Sequence, residues 1–340
     1  MASGTRLADL LGGAGTVALV GLAKNTGKTE TLGALLGELA ARGVTVGVTS
    51  VGRDGEERDV IDERIRKPRV WLAEGSLVAS TGALLRAGSL AHERLERTGV
   101  RTPLGEVVIA RALEGGSVEV AGPSGAADVM EVSARMRELG AERVLIDGAV
   151  DRRAASSPAV AEGLVLATGA VLDRSLERVV ELTREAVELV RLGRAEDLGE
   201  EETVELSREL VLGGDGRAIA GMLGEHPRAS GLLVRGALGE GFLEGLVAAR
   251  RERAGRRLRV VVADPTHVFL TRRGVSWYAA QGIELATIRR IELLAMTVNP
   301  VAPESHVLDS RELRKRLREE IPGVAVLDVR HADYGAREGV

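Results

Sequence analysis

The sequence concentrates its chemical groups in one short segment, VGLAKNTGKTE at residues 20–30, where a glycine-containing turn ends in Gly27, Lys28 and Thr29. The backbone N–H groups of such a turn, with the N-terminus of the helix that follows it, form a cavity for phosphate. There the Lys ammonium bridges the β- and γ-phosphates of a nucleoside triphosphate, and the Thr hydroxyl is a ligand of Mg²⁺. The segment therefore predicts a site for a magnesium–nucleotide complex.

The spacing of this turn, which we call the GKT loop (residues 21–29), departs from the common pattern G-x-x-x-x-G-K-[ST]. That pattern needs a glycine at position 22, where this chain has Leu22, and the nearest glycine is Gly21. The alternative is an ordinary strand–turn–helix connection with an exposed lysine. We favour the nucleotide site because a strand, the Gly-Lys-Thr end and an amphipathic helix follow in register. The predicted nucleotide-binding residues are Gly21, Leu22, Ala23, Lys24, Asn25, Thr26, Gly27, Lys28, Thr29 and Glu30.

Lysine is scarce in this chain, which makes its presence in the loop informative. Of the 46 Lys and Arg residues only four are Lys, which leaves 42 Arg, and two of the four are Lys24 and Lys28. A compact ammonium on a flexible stem enters a phosphate cavity that a planar guanidinium fills differently. The bias against Lys elsewhere therefore favours a functional role for the loop.

Asp147 is the first candidate for the acidic partner of a bound metal. It ends the apolar run at residues 144–146 and precedes Gly148. A phosphate-bound Mg²⁺ takes a carboxylate at the end of a neighbouring strand. The alternative is a strand-terminal Asp that caps the next turn, and we favour the metal role.

Asp54 is the second candidate, in the sequence GRDGE after the second predicted strand. Its position suits an acid that orients metal or water, although Asp-Gly is also a common turn.

Asp264, after a later strand, is a weaker candidate for the same sheet edge, and Asn299-Pro300 is either a contact to the nucleotide base or a turn. We assign catalysis to Lys28, Asp54 and Asp147, and metal binding to Thr29, Asp54 and Asp147.

The elements around these residues alternate between strand and helix. Apolar runs at 16–21 and 44–51 enclose a helix at 29–42, in which Leu32, Leu35, Leu36 and Leu39 share one face. Further strands are predicted at 143–149, 163–170, 231–235, 258–263, 283–288, 293–298 and 323–328, and further helices at 125–139, 173–192, 240–253 and 309–319. This alternation predicts an α/β fold of the P-loop NTPase type, with a mostly parallel, doubly wound sheet.

Residues 53–122 have a different sequence pattern, since short segments of alternating apolar and polar residues replace the longer apolar runs. They predict a β-rich insertion with one helix near 81–98. We expect a nucleotide-binding domain over residues 1–200, with the insertion inside it. A second α/β portion over residues 201–340 is either separate from the first or continuous with it.

Composition limits the class of protein. The 340 residues are 44% apolar and 28% charged, the balance of an ordinary globular chain. The net charge of −4 argues against a dedicated nucleic-acid binder, and the absence of Cys excludes disulfides and iron–sulfur clusters. No stretch approaches the roughly 18 apolar residues of a membrane span. With no signal-peptide layout at the N-terminus, we expect a cytoplasmic protein that binds neither membrane nor nucleic acid.

Several longer strings together resemble a reactivase subunit that is associated with lysine 5,6-aminomutase in bacterial lysine fermentation. They are VGLAKNTGKT, TSVGRDGEERD, KPRVWLAEGSLVAS, LIDGAVDRRAASSP, GLVLATGAV, TVNP and VLDV. The resemblance implies an ATP-dependent chaperone that opens an adenosylcobalamin- and pyridoxal-phosphate-dependent mutase, so that damaged cobalamin can be exchanged. The implied cofactors are ATP and Mg²⁺, and the implied partners are the aminomutase and a second reactivase subunit; we also consider a homodimer.

The loop alone is also similar to that of dethiobiotin synthetase and related ATPases, so an ATP-dependent small-molecule ligase is the alternative function. Leu22, Ala23 and Lys24 depart from the G-T-D-T pattern of the synthetase, and its substrate is not carried over. A scaffold that does not hydrolyse nucleotide is a third hypothesis, which we favour least. The sequence has no guanine-reading N-K-x-D motif, which favours ATP over GTP.

Overall fold

The computed structural model of the chain describes residues 5–51, 69–149, 157–195, 203–251, 257–303, 306–331 and 334. The chain forms two compact units, one comprising Met1–Thr183 with Glu292–Val340 and the other comprising Arg184–Ile291. The second unit is thus inserted into the first. The expected single boundary near residue 200 is corrected to one boundary after Thr183 and another after Ile291, where the chain returns to the first sheet.

The helices and strands follow one another along the chain in three stretches. The first contains a 3₁₀ helix (Leu7–Leu11), β1 (Thr16–Gly21), α1 (Lys28–Ala41), β2 (Val46–Ser50), β3 (Val70–Leu72), β4 (Leu77–Thr81), α2 (Gly82–Ala87), β5 (His92–Thr102), β6 (Gly105–Ala112), β7 (Gly116–Val118), α3 (Ala126–Glu138), β8 (Arg143–Ala149), β9 (Gly163–Gly169) and α4 (Leu176–Val190). The second contains β10 (Gly193–Arg194), β11 (Thr203–Leu206), α5 (Arg208–Gly213), α6 (Gly216–Glu225), β12 (Gly231–Val234), β13 (Leu238–Gly239), α7 (Glu240–Arg251), β14 (Leu258–Val262), a 3₁₀ helix (Pro265–His267), β15 (Val268–Phe269), α8 (Val275–Ala280) and β16 (Ile283–Thr287). The third contains β17 (Glu292–Asn299), α9 (Ser310–Glu320) and β18 (Ala325–Leu327).

One sheet organises the first unit, in the order β18-β17-β9-β1-β8-β2-β4-β6-β5. Its neighbouring strands pair parallel, except that β6 pairs antiparallel with both β4 and β5 at one edge. Val48 of β2 lies in the same core as Leu35 of α1, whereas the neighbouring Gly47 leaves room for Met136 of α3. Because successive residues of a strand point to opposite faces, α1 and α3 cover opposite faces of the sheet. The predicted α/β fold with a mostly parallel central sheet is confirmed.

The described part of the expected β-rich insertion, residues 69–122, does consist mainly of strands, and three of them extend the first sheet. β4 pairs with β2, β6 with β4 and β5 with β6, while β3 and β7 pair with each other. The helix expected near 81–98 is present only as α2, Gly82–Ala87, and its expected second half is wrong because His92–Thr102 is a strand. β5 is an edge strand without a fully buried residue, so it lacks the apolar alternation that identifies a strand in a sequence.

The second unit has a five-stranded parallel sheet in the order β10-β16-β14-β12-β11. Asp264 follows β14, where its buried carboxylate accepts the Thr266 N–H at 3.0 Å and caps the 3₁₀ helix. Asp264 therefore belongs to the sheet of the second unit, and the expectation that it shares the sheet edge of the GKT loop is wrong. No helix in the described ranges of either unit is long and apolar enough to cross a bilayer.

A buried carboxylate joins the start of α7 to the loop before α8. Glu240 is 7% exposed and accepts hydrogen bonds from the Thr271 hydroxyl at 2.6 Å and from the backbone N–H groups of Arg272 and Arg273, both at 2.8 Å. Burial alone would raise the pKa of Glu240, but these donors outweigh burial and lower the pKa to about 2. The ionised carboxylate is therefore part of the folded structure of the second unit.

The pH dependence of folding tests this role of Glu240. Its pKa in the folded chain lies below the ordinary value of 4.5, so its stabilisation is complete above that pH and is lost as the pH falls toward 2. A shift of this size corresponds to about 3 kcal/mol. We expect Glu240→Gln to lower the free energy of unfolding by about 3 kcal/mol at pH 7. The difference from wild type should become small as the pH approaches 2, because Glu240 then takes up a proton and a protonated Glu resembles Gln.

Urea unfolding followed by the fluorescence of Trp277, in a Trp71→Phe background, isolates the second unit. Glu244→Gln is the matched control, since it removes an exposed carboxylate one turn further along α7, 2.8 Å from Arg272. Glu244→Gln should lower the free energy of unfolding by less than about 1 kcal/mol, as is usual for an exposed ion pair. A difference between wild type and Glu240→Gln that persists unchanged at pH 2 would contradict the assigned role.

Candidate functional site

The GKT loop leaves the first sheet at its carboxyl edge. β1 is buried along its whole length and lies between β8 and β9. Leu22 continues the pairing with β9, because its N–H donates to the Ala167 carbonyl at 2.9 Å. Open α/β sheets bind their ligands at this edge. The loop therefore lies where the fold class places a ligand.

Two residues in the left-handed conformation shape the loop. Asn25 has a φ of 66° and Gly27 a φ of 86°, in the region that Asn and Gly tolerate best. The Thr26 hydroxyl donates to the Ala23 carbonyl at 3.0 Å, and a Cβ at position 21 would collide with that hydroxyl. Gly21 is therefore required for the turn that closes on Thr26.

Lys28 begins α1 and its side chain reaches the end of β8. Its Nζ lies 2.7 Å from Asp147 Oδ1 and donates to the Gly148 carbonyl at 2.8 Å. Of these two contacts only the one to Gly148 is a hydrogen bond, because Asp147 Oδ1 is buried and accepts no hydrogen bond from the described residues. The pairing of Lys28 with Asp147 is therefore an ion pair, and the ammonium, which has three N–H donors, keeps donors for a further acceptor. The side chains of Lys28 and Asp147 are 23% and 31% exposed, and a ligand can therefore reach both.

The pairing of β1 with β8 positions this ion pair. Leu19 lies opposite Asp147 in the parallel register, so the turn after β1 passes beside the end of β8. The Asp147 carbonyl also accepts the Val51 N–H at 3.0 Å, which fixes its backbone on the side of β2. The strand expected beside the loop is present, whereas the metal role of Asp147 stays a prediction.

The other predicted binding residues surround the start of α1. They divide into buried Gly21, Thr26 and Gly27, half-buried Leu22, Ala23 and Thr29, and exposed Lys24, Asn25 and Glu30. Gly27 at the N-cap offers no side-chain acceptor to the first turn of α1, and the first N–H groups of a helix have no partner within it. These N–H groups and the dipole of α1 suit an anion at the loop.

The loop also contacts β17, which sequence reasoning did not connect with it. Asn299, the last residue of β17, is 9% exposed and donates from Nδ2 to the Asn25 carbonyl at 2.9 Å. We expected Asn299 either to contact the base or to end the strand in a turn, and its Oδ1 does accept the Val301 N–H at 3.2 Å within such a turn. No local pattern could reveal a contact between residues 274 positions apart.

Asp54 lies outside the residues that the structure describes, so its catalytic and metal roles stay predictions. Within the described ranges, no three His, Asp or Glu side chains gather into a group that could hold a metal ion. Mg²⁺ at a nucleotide site needs only one or two protein ligands, because phosphate and water complete its shell. Thr29 and Asp147 carry oxygen donors of the kinds that Mg²⁺ accepts, a hydroxyl and a carboxylate, and their metal role stays a prediction.

Two glycines of the same segment should respond to Ala in opposite directions. Gly27→Ala places a side chain at a φ of 86° and brings its Cβ to 2.9 Å from Asn299 Cβ, so we expect a loss of roughly 1–3 kcal/mol in the free energy of unfolding. Gly33 lies inside α1 with nothing within 4 Å of an added Cβ, so Gly33→Ala should stabilise by about 0.5–1 kcal/mol. Urea unfolding followed by circular dichroism measures both, and equal effects would contradict the described loop conformation.

Comparisons of the chain with protein-family models, with curated proteins and with solved structures gave no match. The chemistry of the GKT loop and of the residues in contact with it is therefore the basis on which a function is assigned.

Proposed function

We propose that the chain binds ATP with Mg²⁺ at the GKT loop and hydrolyses it. The observation that carries this proposal is the position of Lys28 Nζ, 2.7 Å from the Asp147 carboxylate and 2.8 Å from the Gly148 carbonyl, at the start of α1. A cation, free N–H donors of a helix N-terminus and an acid thus lie together. Phosphoryl transfer requires these groups because the protein contributes mainly positioning and charge stabilisation.

Each group has a defined role in this proposal. The N–H groups of the loop and of the first turn of α1 bind phosphate oxygens. Lys28 donates to the β- and γ-phosphates from the N–H groups that Gly148 leaves available, and it stabilises the charge that develops during transfer. Mg²⁺, when bound, neutralises phosphate charge, and Thr29 and Asp147 would hold it. Asp147 also restricts the Lys28 ammonium to the mouth of the loop, so the cation is positioned before the nucleotide arrives.

Lys28→Ala should raise the Kd for Mg-ATP by about 10²-fold, because charge-assisted hydrogen bonds are worth roughly 1.5–3 kcal/mol. Lys28→Arg should raise this Kd nearly as much, since a guanidinium is planar and wider than an ammonium. Lys315→Ala is the matched control, because Lys315 is an exposed lysine on α9, where it pairs with Glu312. Calorimetric titration should give the control the wild-type Kd, and the same Kd for Lys28→Ala would refute the nucleotide site.

The finer proposal is a reactivating chaperone for adenosylcobalamin-dependent lysine 5,6-aminomutase, acting with a second subunit. Its support is the resemblance of the sequence strings given above, all of which fall within Met1–Thr183 or Glu292–Val340. The resemblance therefore concerns the unit that carries the GKT loop. If ATP drives the opening of a partner, this protein must have two conformational states that bind the γ-phosphate with different affinity. A ligand with equal affinity for both states does not shift the equilibrium between them.

An ATP-dependent ligase of the dethiobiotin synthetase type is the alternative, and the similarity of the loop supports it. Such an enzyme needs a cation beside the γ-phosphate for the second substrate, and Lys24 is an exposed residue of the loop that could supply it. The two functions differ in what stimulates ATP turnover. A protein partner should change the basal rate of a chaperone, whereas a carboxylate substrate should change that of a ligase.

A reactivation assay distinguishes the two functions. The protein, its second subunit and Mg-ATP should restore activity to a cobalamin-inactivated aminomutase once fresh adenosylcobalamin is added. Asp147→Asn should still bind nucleotide but lose about 10²-fold in hydrolysis, the scale of one lost electrostatic element, and should therefore not restore activity. The wild-type protein could instead hydrolyse ATP while damaged cobalamin stays bound to the aminomutase in the complete mixture. That result would favour the ligase function over the chaperone function.

A further inference from the structure

We propose that Asn299 is a positioning residue that holds the GKT loop in its nucleotide-binding conformation; this inference rests on the proposed function of the loop. β9 lies between β1 and β17 in the sheet, so the loop must pass across the end of β9 to reach Asn299. There Asn299 Nδ2 donates to the Asn25 carbonyl at 2.9 Å. This contact fixes the loop midway between Gly21 and Lys28.

Both ends of the Asn299 amide are assigned by their partners. The Asn25 carbonyl can only accept, so it faces the NH₂ group, and the Val301 N–H can only donate, so it faces Oδ1 at 3.2 Å. A short side chain that carries one donor group and one acceptor is needed here. Asp has no donor when ionised, and Gln is one methylene longer. The position therefore selects Asn chemically.

The backbone around Asn299 leaves the side chain little freedom. The Asn299 carbonyl accepts the Ala170 N–H at 2.9 Å, and a Cβ at Gly169 would collide with that carbonyl. On the other side, a Cβ at Gly27 would lie 2.9 Å from Asn299 Cβ. Asn299 is thus seated between the glycine that ends β9 and the glycine that precedes Lys28. With its backbone carbonyl close to Gly169 and its Cβ close to Gly27, Asn299 can hold Asn25 at its left-handed φ of 66°.

The contact acts on phosphate binding through the direction of the loop N–H groups. A non-glycine residue at positive φ is conformationally costly and persists where surrounding contacts stabilise it. Release of the Asn25 carbonyl would let residues 23–27 adopt other conformations, in which fewer N–H groups point at one phosphate. Asn299 touches neither the reacting atoms nor Lys28 in this proposal, and its effect falls on nucleotide affinity.

The test titrates wild type, Asn299→Asp and Thr297→Val with Mg²⁺ and a slowly hydrolysed ATP analogue. Asn299→Asp keeps the shape of the side chain but turns a carboxylate oxygen toward the Asn25 carbonyl. We expect its Kd to rise about tenfold, equivalent to about 1.4 kcal/mol, at unchanged stoichiometry. Protein that is merely destabilised would bind with reduced stoichiometry and an unchanged Kd.

Thr297→Val is the matched control from the same face of β17. It removes a hydroxyl that lies 2.8 Å from the Thr31 hydroxyl but leaves the contact with Asn25, so the Kd should stay within about twofold of wild type. Equal Kd values for wild type and Asn299→Asp would overturn the proposal and leave the proposed function standing.

Hydrogen exchange on the nucleotide-free proteins separates this proposal from the function of the site. Asn299→Asp should exchange faster than wild type and Thr297→Val over residues 22–27, because the loop opens more often. Thr31, which loses a hydroxyl contact in Thr297→Val, lies outside this range. If wild type takes up no nucleotide, the proposed function fails, yet exchange still shows whether Asn299 holds the loop. Unchanged exchange of Asn299→Asp over residues 22–27 would overturn the proposal in either case.

Discussion

Lys28 meets Asp147 only because β1 and β8 are neighbours in a parallel sheet, with Leu19 opposite Asp147. That register brings the turn after β1 to the end of β8, and the ammonium then contacts both the carboxylate and the next carbonyl. A slip of one residue would move Asp147 to the other face of the sheet. The buried packing of β1 between β8 and β9 excludes such a slip. The site therefore depends on strand order and register as much as on its own residues.

Much of the first unit could be predicted from the sequence. Buried parallel strands appear as continuous apolar runs, and α1 shows its buried leucines at helical spacing. The helix predicted at 309–319 is α9, and its N-cap Asp309 accepts the Glu312 N–H at 2.8 Å. The GKT loop is detectable because its Gly-Lys-Thr end lies between a strand and a helix and because Lys is rare elsewhere in the chain. These signals are local, which is why one sequence suffices to detect them.

The features that the sequence could not reveal are those set by distant partners. β17 reads as one more apolar strand, and nothing within it says that it pairs with β9 and not with the second sheet. The boundary was misplaced for that reason. β5 was mistaken for a helix because an exposed edge strand carries polar residues on both faces. Asn299 was recognised as a strand end, but its contact with Asn25 depends on the sheet order β17-β9-β1.

The insertion of Arg184–Ile291 ahead of β17 also has a consequence in time. Asn25 and Asn299 are 274 residues apart, and a ribosome that adds about 5–20 residues per second needs about 15–55 s to cover that distance. β1, α1, β8 and β9 emerge long before β17, so Lys28 and Asp147 can pair in a nascent chain whose loop has nothing to hold Asn25. The loop therefore reaches its final conformation late in synthesis, when the ribosome has already made the whole second unit.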